Sequence, residues 1–459
     1  MNSRRSFIKN IAFALPAISL AEILLSTSCS KSVDHSHIKR IGIIGAGISG
    51  LQAAYLLKQH NKFEIEILEA SDVIGGRIQS FTNSNFSSNN NIELGAQVAY
   101  GQQNNAWYDI IRKYQPVNLD SKKEKAYVID ETIKAESALS GDADFMKVNS
   151  IFNSSLNYAS NDVSIEQFMV NNNVPERVKF IYRNNMEANV GGSIDRVSLL
   201  MAKEEGLKNS QESHYRLTTT NFSDILTKEY SSVLTKVKTN TVVREIEYVG
   251  DVVRVKDQNG VTRTYDKLIV TVPISILKDG DIKFTPALPS AKKEAMDMIG
   301  MDAGIRIILK VKNKFWPDDT TVLYSGGDAG VFNIEKDSNG AYILSSLVVG
   351  KTAEKMNNRS ATNIANDIQA DFTALFGAAA GQSIVDSKVV FWSDMPYIKG
   401  TYSYQKVGGS MNNRVELSKA INNKIFFAGE ATNANGKSGS IHGAMETANR
   451  VTTEVLASL

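Results

Sequence analysis

Ile41-Gly-Ile-Ile-Gly-Ala-Gly-Ile-Ser-Gly50 decides how this chain is read. The stretch leaves an apolar strand, makes a glycine turn and enters a helix predicted over Leu51 to His60. About 20 residues past the last glycine comes Glu69, closing a strand predicted over Ile65 to Glu69. Strand, glycine turn, helix, strand and acid follow one another in the order of a dinucleotide-binding fingerprint. Gly45 permits the tight turn, Gly47 lets the backbone approach a pyrophosphate, Gly50 lets helix and strand pack closely, and Glu69 can hold a ribose hydroxyl. Alone, this fingerprint leaves NAD and FAD equally open.

Two further segments choose between them: Gly75-Gly76-Arg77 just after the second strand, and Ile425-Phe-Phe-Ala-Gly-Glu430 near the C-terminus, followed by a helix predicted from Ser440 to Leu456. At these residues the sequence resembles the flavin-containing amine oxidases, the family of monoamine, polyamine and L-amino-acid oxidases and the histone lysine demethylase. The resemblance runs from about Ile38 to the end. Its middle part consists of Val253-Arg-Val, Asp266-Lys-Leu-Ile-Val-Thr-Val-Pro273, Ile282-Lys-Phe-Thr-Pro-Ala-Leu-Pro289, Lys314-Phe-Trp-Pro317, Trp392 and Gly400-Thr-Tyr-Ser403. Blocks in family order over about 400 residues are far more specific than one glycine motif.

The resemblance implies a mixed α/β fold in which a Rossmann-like FAD-binding domain, residues 38–100, 232–290 and 388–459, interleaves with a substrate-binding domain, residues 101–231 and 291–387. A chain of this length exceeds what one core usually organises, which agrees. So do local patterns: Thr239 to Glu247 and Val252 to Lys256 alternate like antiparallel strands around the turn signal Asp257-Gln-Asn-Gly260, Gly304 to Val311 reads as a strand, and Ala361 to Phe376 as a helix. Asn83 to Asn91 reads as a surface hairpin loop.

For the cofactor, the resemblance implies contacts from Gly45, Ala46, Gly47, Ser49 and Gly50, with Glu69 and Ala70 at the ribose and Arg77 at the pyrophosphate. The backbone of Gly76, Gly95, Ala96 and Gln97 would line the isoalloxazine, Val243 the adenine, and Gly429-Glu430 the ribityl chain. Ser440-Ile441 would face the flavin C2 carbonyl. A helix N-terminus stabilises negative charge, and reduced flavin is an anion at N1 and O2. Thr401 stands where some monoamine oxidases carry the flavin-linked cysteine, and no cysteine follows Cys29, so the FAD is expected to be noncovalent.

The implied reaction moves a hydride from the carbon bearing an uncharged amine to flavin N5, leaving an imine that water hydrolyses. Monoamine oxidases flank the amine path with two aromatic rings; one position is Tyr402 here and the other is Ser440, so the cage is half built. The family's lysine, which assists reaction with oxygen through a water, falls on Arg306. Arginine keeps the charge but not the compact, deprotonatable ammonium, so either another acceptor takes the electrons or Arg306 anchors a substrate carboxylate. Val98 occupies the position of the carboxylate-binding arginine of venom-type L-amino-acid oxidases. Glu187 falls in a region that could line a polyamine tunnel, though a solvated helix face is the simpler reading. An FAD-dependent desaturase acting on a C–C bond, or a non-catalytic flavoprotein, are the alternatives.

The N-terminus bounds where this happens. Ser3-Arg-Arg-Ser-Phe-Ile-Lys9 is a twin-arginine export signal, and the apolar stretch Ile11 to Leu25, broken by Pro16 and Glu22, is too short for a good membrane span. Cys29 sits where a lipoprotein signal would be cut and acylated, with residues 30–37 as a linker. Residues 1–29 form the signal segment, processed at or near Cys29, and the mature protein would face a periplasmic or other extracytoplasmic space. The chain carries 51 Lys+Arg and 49 Asp+Glu; loss of Arg4, Arg5, Lys9 and Glu22 leaves the remainder neutral. No basic stripe argues for nucleic acid, Lys122-Lys-Glu-Lys125 reads as a solvated loop, and histidines scattered at 35, 37, 60, 214 and 442 support no metal centre. The expected partners are a small amine and oxygen or another electron acceptor, with a possible lipid anchor at Cys29.

Overall fold

The computed structural model describes residues 38–459 apart from 88–91, 115–117, 120–123, 208–212 and 218–219. The export signal, Cys29 and the linker 30–37 therefore lie outside the described residues, as do parts of the Asn83–Asn91 and Lys122–Lys125 loops.

A five-stranded parallel sheet carries the N-terminal fingerprint. Its order is Val237–Lys238, Phe63–Leu68, Lys39–Ile44, Lys267–Val270 and Ile425–Phe427. Ile41, Ile43, Ile67, Leu268, Ile269 and Ile425 are fully buried, because one face of the sheet packs on helices and the other on the strands Val243–Glu247, Val253–Asp257 and Thr262–Tyr265, so no face is left for polar alternation. One covering helix is Ile48–Lys58, which packs against the C-terminal helix Ile441–Ala457: Ser49 Oγ donates to the Ala444 carbonyl at 2.9 Å and Gln52 to Asn449 at 3.1 Å. Leu51, Leu57, Ala448, Val451 and Val455 fill the space between them. Truncating Leu51 to alanine there costs roughly 2–5 kcal/mol. Consecutive strands leave Lys39–Ile44 on opposite sides, so the chain reverses direction across the sheet just where the glycine turn begins; ligands bind at such a switch point.

A seven-stranded sheet runs Ile384–Phe391, Gly304–Val311, Tyr342–Val349, Val331–Lys336, Thr320–Tyr324, Glu124–Ile129 and Thr132–Ala135. All its pairings are antiparallel except that of Thr320–Tyr324 with Glu124–Ile129. The helix Ala361–Phe376 packs on it through Ile364, Ile368 and Phe372, is capped by Ser360, which accepts from the Asn363 N–H, and stops at Gly377 with φ 87°. A helical cluster from Leu139 to Ala202 packs against Tyr127, Val322, Tyr324 and Tyr404.

Two expectations shift. Strands Val243–Glu247 and Val253–Asp257 pair antiparallel, but the Asp257–Gly260 turn joins the second of them to Thr262–Tyr265; the link between the first two is Tyr248 to Val252. The turn residue Asp257 accepts from the N–H groups of Asn259 and Val261, a closure that serves the following hairpin. Trp107, Tyr108, Ile111, Tyr215, Phe222, Ile225 and Tyr230 are buried in the same cluster as Ile43 and Leu51. The second strand of the fingerprint ends at Leu68, so Glu69 is the first residue beyond it.

Candidate active site

Gly45, at the end of the first strand, adopts φ +101°, a conformation that glycine alone takes without strain, and its N–H donates to the Leu68 carbonyl at 2.8 Å. Thr271 ties the neighbouring strand to the same point, its hydroxyl donating to the Ile44 carbonyl at 2.7 Å. A Cβ on Gly50 would lie 2.0 Å from the Gly45 carbonyl oxygen, so the helix can start this close to the strand only with glycine there. Gly47 differs: it is the N-cap of the helix Ile48–Lys58, has no side chain to cap it, and a Cβ there would meet nothing within 4 Å. The first-turn N–H groups are thus left open toward a cavity, the arrangement that binds an anion.

That cavity has a volume of about 980 Å³. Gly45, Gly47, Ser49, Glu69, Ala70, Gly76, Arg77, Gly95, Ala96, Gln97, Val243, Gly429, Glu430, Ser440 and Ile441 all line it, and so do Arg306 and Tyr402. Ala46 and Gly50, expected among the contacts, do not. Ala46 is buried and its N–H is spent on Glu69, while Gly50 lies behind the turn against the Gly45 carbonyl.

Glu69 is fixed before any ligand arrives. One carboxylate oxygen accepts from the Ala46 N–H at 2.7 Å, the other from the N–H and hydroxyl of Ser71 at 2.9 and 2.8 Å. The turn Gly75-Gly76 packs onto the first glycine turn, with the Gly75 N–H donating to the Ala46 carbonyl at 2.9 Å, and this brings Arg77 to the cavity wall. Arg77 Nη1 donates to the Thr401 carbonyl at 2.8 Å and to Glu430 at 2.9 Å.

Glu430 sits at the centre of a buried network that the sequence did not reveal. It accepts from the Ser403 hydroxyl at 2.6 Å and from the Gly439 N–H at 2.9 Å. Behind Ser403 lies Arg414, fully buried, which donates to Ser403 Oγ at 2.8 Å, to the Ala431 carbonyl at 2.9 Å and to Glu205 at 3.0 Å. Burial alone would raise the Glu430 pKa, but the guanidinium groups of Arg77 and Arg414 and the Ser403 hydrogen bond outweigh it and hold the group below the usual glutamate value.

Ser440 is an N-cap. Its hydroxyl accepts from the Gly443 N–H at 3.0 Å and donates to the Lys437 carbonyl at 2.7 Å, so the side chain belongs to the start of the helix Ile441–Ala457 and does not act as a second cage wall. Tyr402 does form a wall. Its ring lies so close over Gly191 and Gly439 that a Cβ on either would come within 3 Å of it, and its hydroxyl donates to the Ala188 carbonyl. Burial pushes its phenol pKa well up.

Arg306 stands in the strand Gly304–Val311, paired on both sides in the seven-stranded sheet, and is only 5 % exposed. Its Nε donates to the Leu94 carbonyl at 3.2 Å and its Nη2 to the Gly95 carbonyl at 3.1 Å; Trp392 Nε1 donates to the same Leu94 oxygen at 3.2 Å. Burial lowers its pKa to about 10, which leaves it protonated at neutral pH. Val98 also lines the cavity. Glu187 does neither of the things expected of it: it is buried in the helix Lys179–Val190 and is not among the cavity-lining residues, and burial pushes its pKa up to about 7.

Several lining residues carried no signal of their own. Tyr100, Arg216 and Tyr324 lie on separate strands, and only the assembled sheets bring them to one wall. Tyr100 packs edge-on against His214 with centroids 5.0 Å apart. Thr271 was within a recognised block, but its role as a tie between strand ends depends on a parallel pairing that spacing does not specify.

A switch-point cavity with an open helix N-terminus, a buried acid at the second strand end and a second helix N-terminus entering from the far end of the chain defines a dinucleotide-binding flavoprotein fold. The chain belongs to the flavin-containing amine oxidoreductase family, whose model matches residues 48–229 and 220–456. Among curated proteins it is 34% identical over 211 residues to lysine-specific histone demethylase 1 homolog 3 of Arabidopsis thaliana, covering 42% of this chain and 13% of that protein. It is 25% identical over 431 residues to lysine-specific histone demethylase 1B of Mus musculus, covering 87% and 51%. It is 25% identical over 442 residues to polyamine oxidase 2 of Arabidopsis thaliana, covering 88% and 85%. The chain thus spans about half the length, or less, of the demethylase relatives. Among solved structures, putrescine oxidase bound to putrescine superposes with a TM-score of 0.75 at 16% identity, covering 91% of this chain and 99% of that one, and cyclohexylamine oxidase from Brevibacterium oxydans IH-35A does so with 0.76 at 16%, again over 91% and 99%.

Proposed function

We propose that this protein is an FAD-dependent amine oxidase or amine dehydrogenase, oxidising a C–N bond to an imine that water hydrolyses to a carbonyl compound. One observation carries the reading: a single cavity joins the glycine turns and helix N-termini of the parallel sheet to Arg306 and Tyr402 of the other wall. Its volume of about 980 Å³ lies at the upper end of the range for cofactor and ligand sites. The open first turn after Gly47 fits a pyrophosphate, and Arg77, half committed to Glu430, adds positive charge beside it.

The flavin, when bound, supplies the two-electron acceptor. The chain does the rest. The backbone at Gly95, Ala96 and Gln97 and the N-terminus of the helix at Ser440-Ile441 set where the cofactor lies, with the positive end of that helix placed for charge on the pyrimidine side. Tyr402 contributes an apolar wall with its hydroxyl already spent, which dries the site and favours the uncharged amine. Thr401 in place of a cysteine, and the absence of any cysteine after Cys29 in the sequence, support a noncovalent cofactor. The N-terminal Ser3-Arg-Arg-Ser-Phe-Ile-Lys9 supports export in the folded state, with processing at or near Cys29.

The test is anaerobic. Purified holoprotein is mixed with a panel of primary and secondary amines, and bleaching of the yellow flavin is followed. Bleaching by an amine and not by saturated acyl or sterol donors supports the reading; bleaching only by C–C donors would assign a desaturase instead.

A further inference from the structure

The cavity is charged unevenly. Its acidic lining residues among those described are Glu69, Asp72, Asp281 and Glu430, all on the segments 38–100, 232–290 and 388–459. Two of these are already neutralised by cations, Glu430 by Arg77 at 2.9 Å and Asp281 by Lys399 at 2.7 Å. The opposite wall, built from 101–231 and 291–387, contributes Lys125, Arg216 and Arg306 and no acidic side chain. Lys125 is within 3.7 Å of Glu136, and Arg216 pairs with Glu335 at 2.7 Å. Arg306 has no such partner among the described residues. Its two hydrogen bonds go to backbone carbonyls, and its remaining Nη1 has no hydrogen-bond acceptor among the described residues.

A guanidinium buried to this degree and held only by neutral dipoles is an unbalanced charge, tolerated when an anion completes it. Neither nearby phenol supplies one, since burial raises the pKa of both Tyr100 and Tyr402. The helix N-terminus at Ser440-Ile441 would meet charge on the reduced cofactor. An anion that completes Arg306 would then arrive with the substrate. A diamine would be placed badly, because its second ammonium would face Arg306 and find no free carboxylate on that wall.

We propose that the substrate amine also carries a carboxylate and that Arg306 binds it. This rests on the amine-oxidising reading above. Arginine suits the role because its planar fork donates in parallel to both oxygens of a carboxylate while Nε and Nη2 stay fixed to Leu94 and Gly95, the segment expected beside the isoalloxazine. The carboxylate takes no part in the bond changes. The carbon bearing the amine loses its hydrogen with two electrons to the flavin, the nitrogen loses a proton, and water replaces the nitrogen, so the products are an oxo acid and ammonium.

Matched pairs differing only in the carboxylate test this on purified holoprotein under anaerobic conditions: ornithine against putrescine, and phenylalanine against phenethylamine. The expected result is that the amino acid of a pair half-bleaches the flavin at a concentration lower by about tenfold or more, and that Arg306→Lys and Arg306→Gln each erase most of that preference. Benzoate, which cannot be oxidised here, provides a second readout; it should perturb the flavin absorbance of the wild type and not of Arg306→Gln. If putrescine and phenethylamine bleach as well as their partners and benzoate is silent, the carboxylate site is overturned while amine oxidation stands. If no amine bleaches but benzoate binds in an Arg306-dependent way, the anion site stands and amine oxidation falls. If Arg306→Lys alters only the reoxidation of flavin by oxygen, Arg306 belongs to that half-reaction and the proposal is overturned. The wild-type comparison decides even if both variants fold poorly.

Discussion

Glu69 uses both oxygens of its carboxylate on Ala46 and Ser71, so it holds the glycine turn in shape as well as facing the cavity. Replacing it with alanine leaves the buried Ala46 N–H unpaired, at a cost of about 1–3 kcal/mol. Glu69→Ala is expected to lower the melting temperature and to lose flavin on dialysis; a variant that melts early yet keeps one flavin per chain would make Glu69 a purely structural group. Ser440→Ala removes a helix cap and should cost about 0.5–2 kcal/mol in thermal or denaturant unfolding. A loss of flavin reduction far larger than that stability loss would restore Ser440 to the chemistry. At this scale the sequence marked the residues whose role is local: the glycines, the acid and the arginine after Gly-Gly are legible because a turn or a charge at a fixed offset needs them. Arg414 and Glu205 were not, since their pairing spans more than 200 residues of chain and no offset encodes it.

Among elements, the strand, turn and helix from Lys39 to Lys58 and the helix Ile441–Ala457 were readable from apolar periodicity and glycine placement. The misplaced turn at Asp257–Gly260 shows the limit: the turn chemistry was right, but which two strands it joins depends on a third strand, Thr262–Tyr265, whose alternation is weak. Glu187 shows the same limit for helices. Asn184, Asn185 and Asn189 near it in sequence are polar, yet the helix Lys179–Val190 turns it into the interior. Its pKa rises by burial from the ordinary 4.5 to about 7. Between those values the folded protein holds a proton that the unfolded chain has released, so stability falls as pH rises, and above about pH 7 the loss is complete. Glu187→Gln should remove this contribution. The variant is expected to be more stable than the wild type near pH 8 by about 1–3 kcal/mol and similar to it near pH 4.5, as read by denaturant midpoints; equal midpoints at both would remove Glu187 from the pH dependence.

For the whole molecule, two sheets and three separated stretches of sequence converge on one cavity, and only the family resemblance foretold that convergence. Trp107 and Phe222 are apolar residues on short helices, a local pattern that fits any core and does not specify that they join the cluster around Ile43 and Leu51. With no cysteine beyond Cys29, acid precipitation should release the flavin into the supernatant. Changing Arg4 and Arg5 together to lysine should leave full-length protein in the cytoplasm; normal export of that double variant would dismiss the twin-arginine signal. Oxidation of a C–N bond in this cavity is checked by a single anaerobic turnover in which flavin reduction and products are counted together. One carbonyl compound and one ammonia or amine should be released for each flavin reduced. Flavin reduced with the donor's nitrogen still in place and a new C=C bond in the product would contradict it.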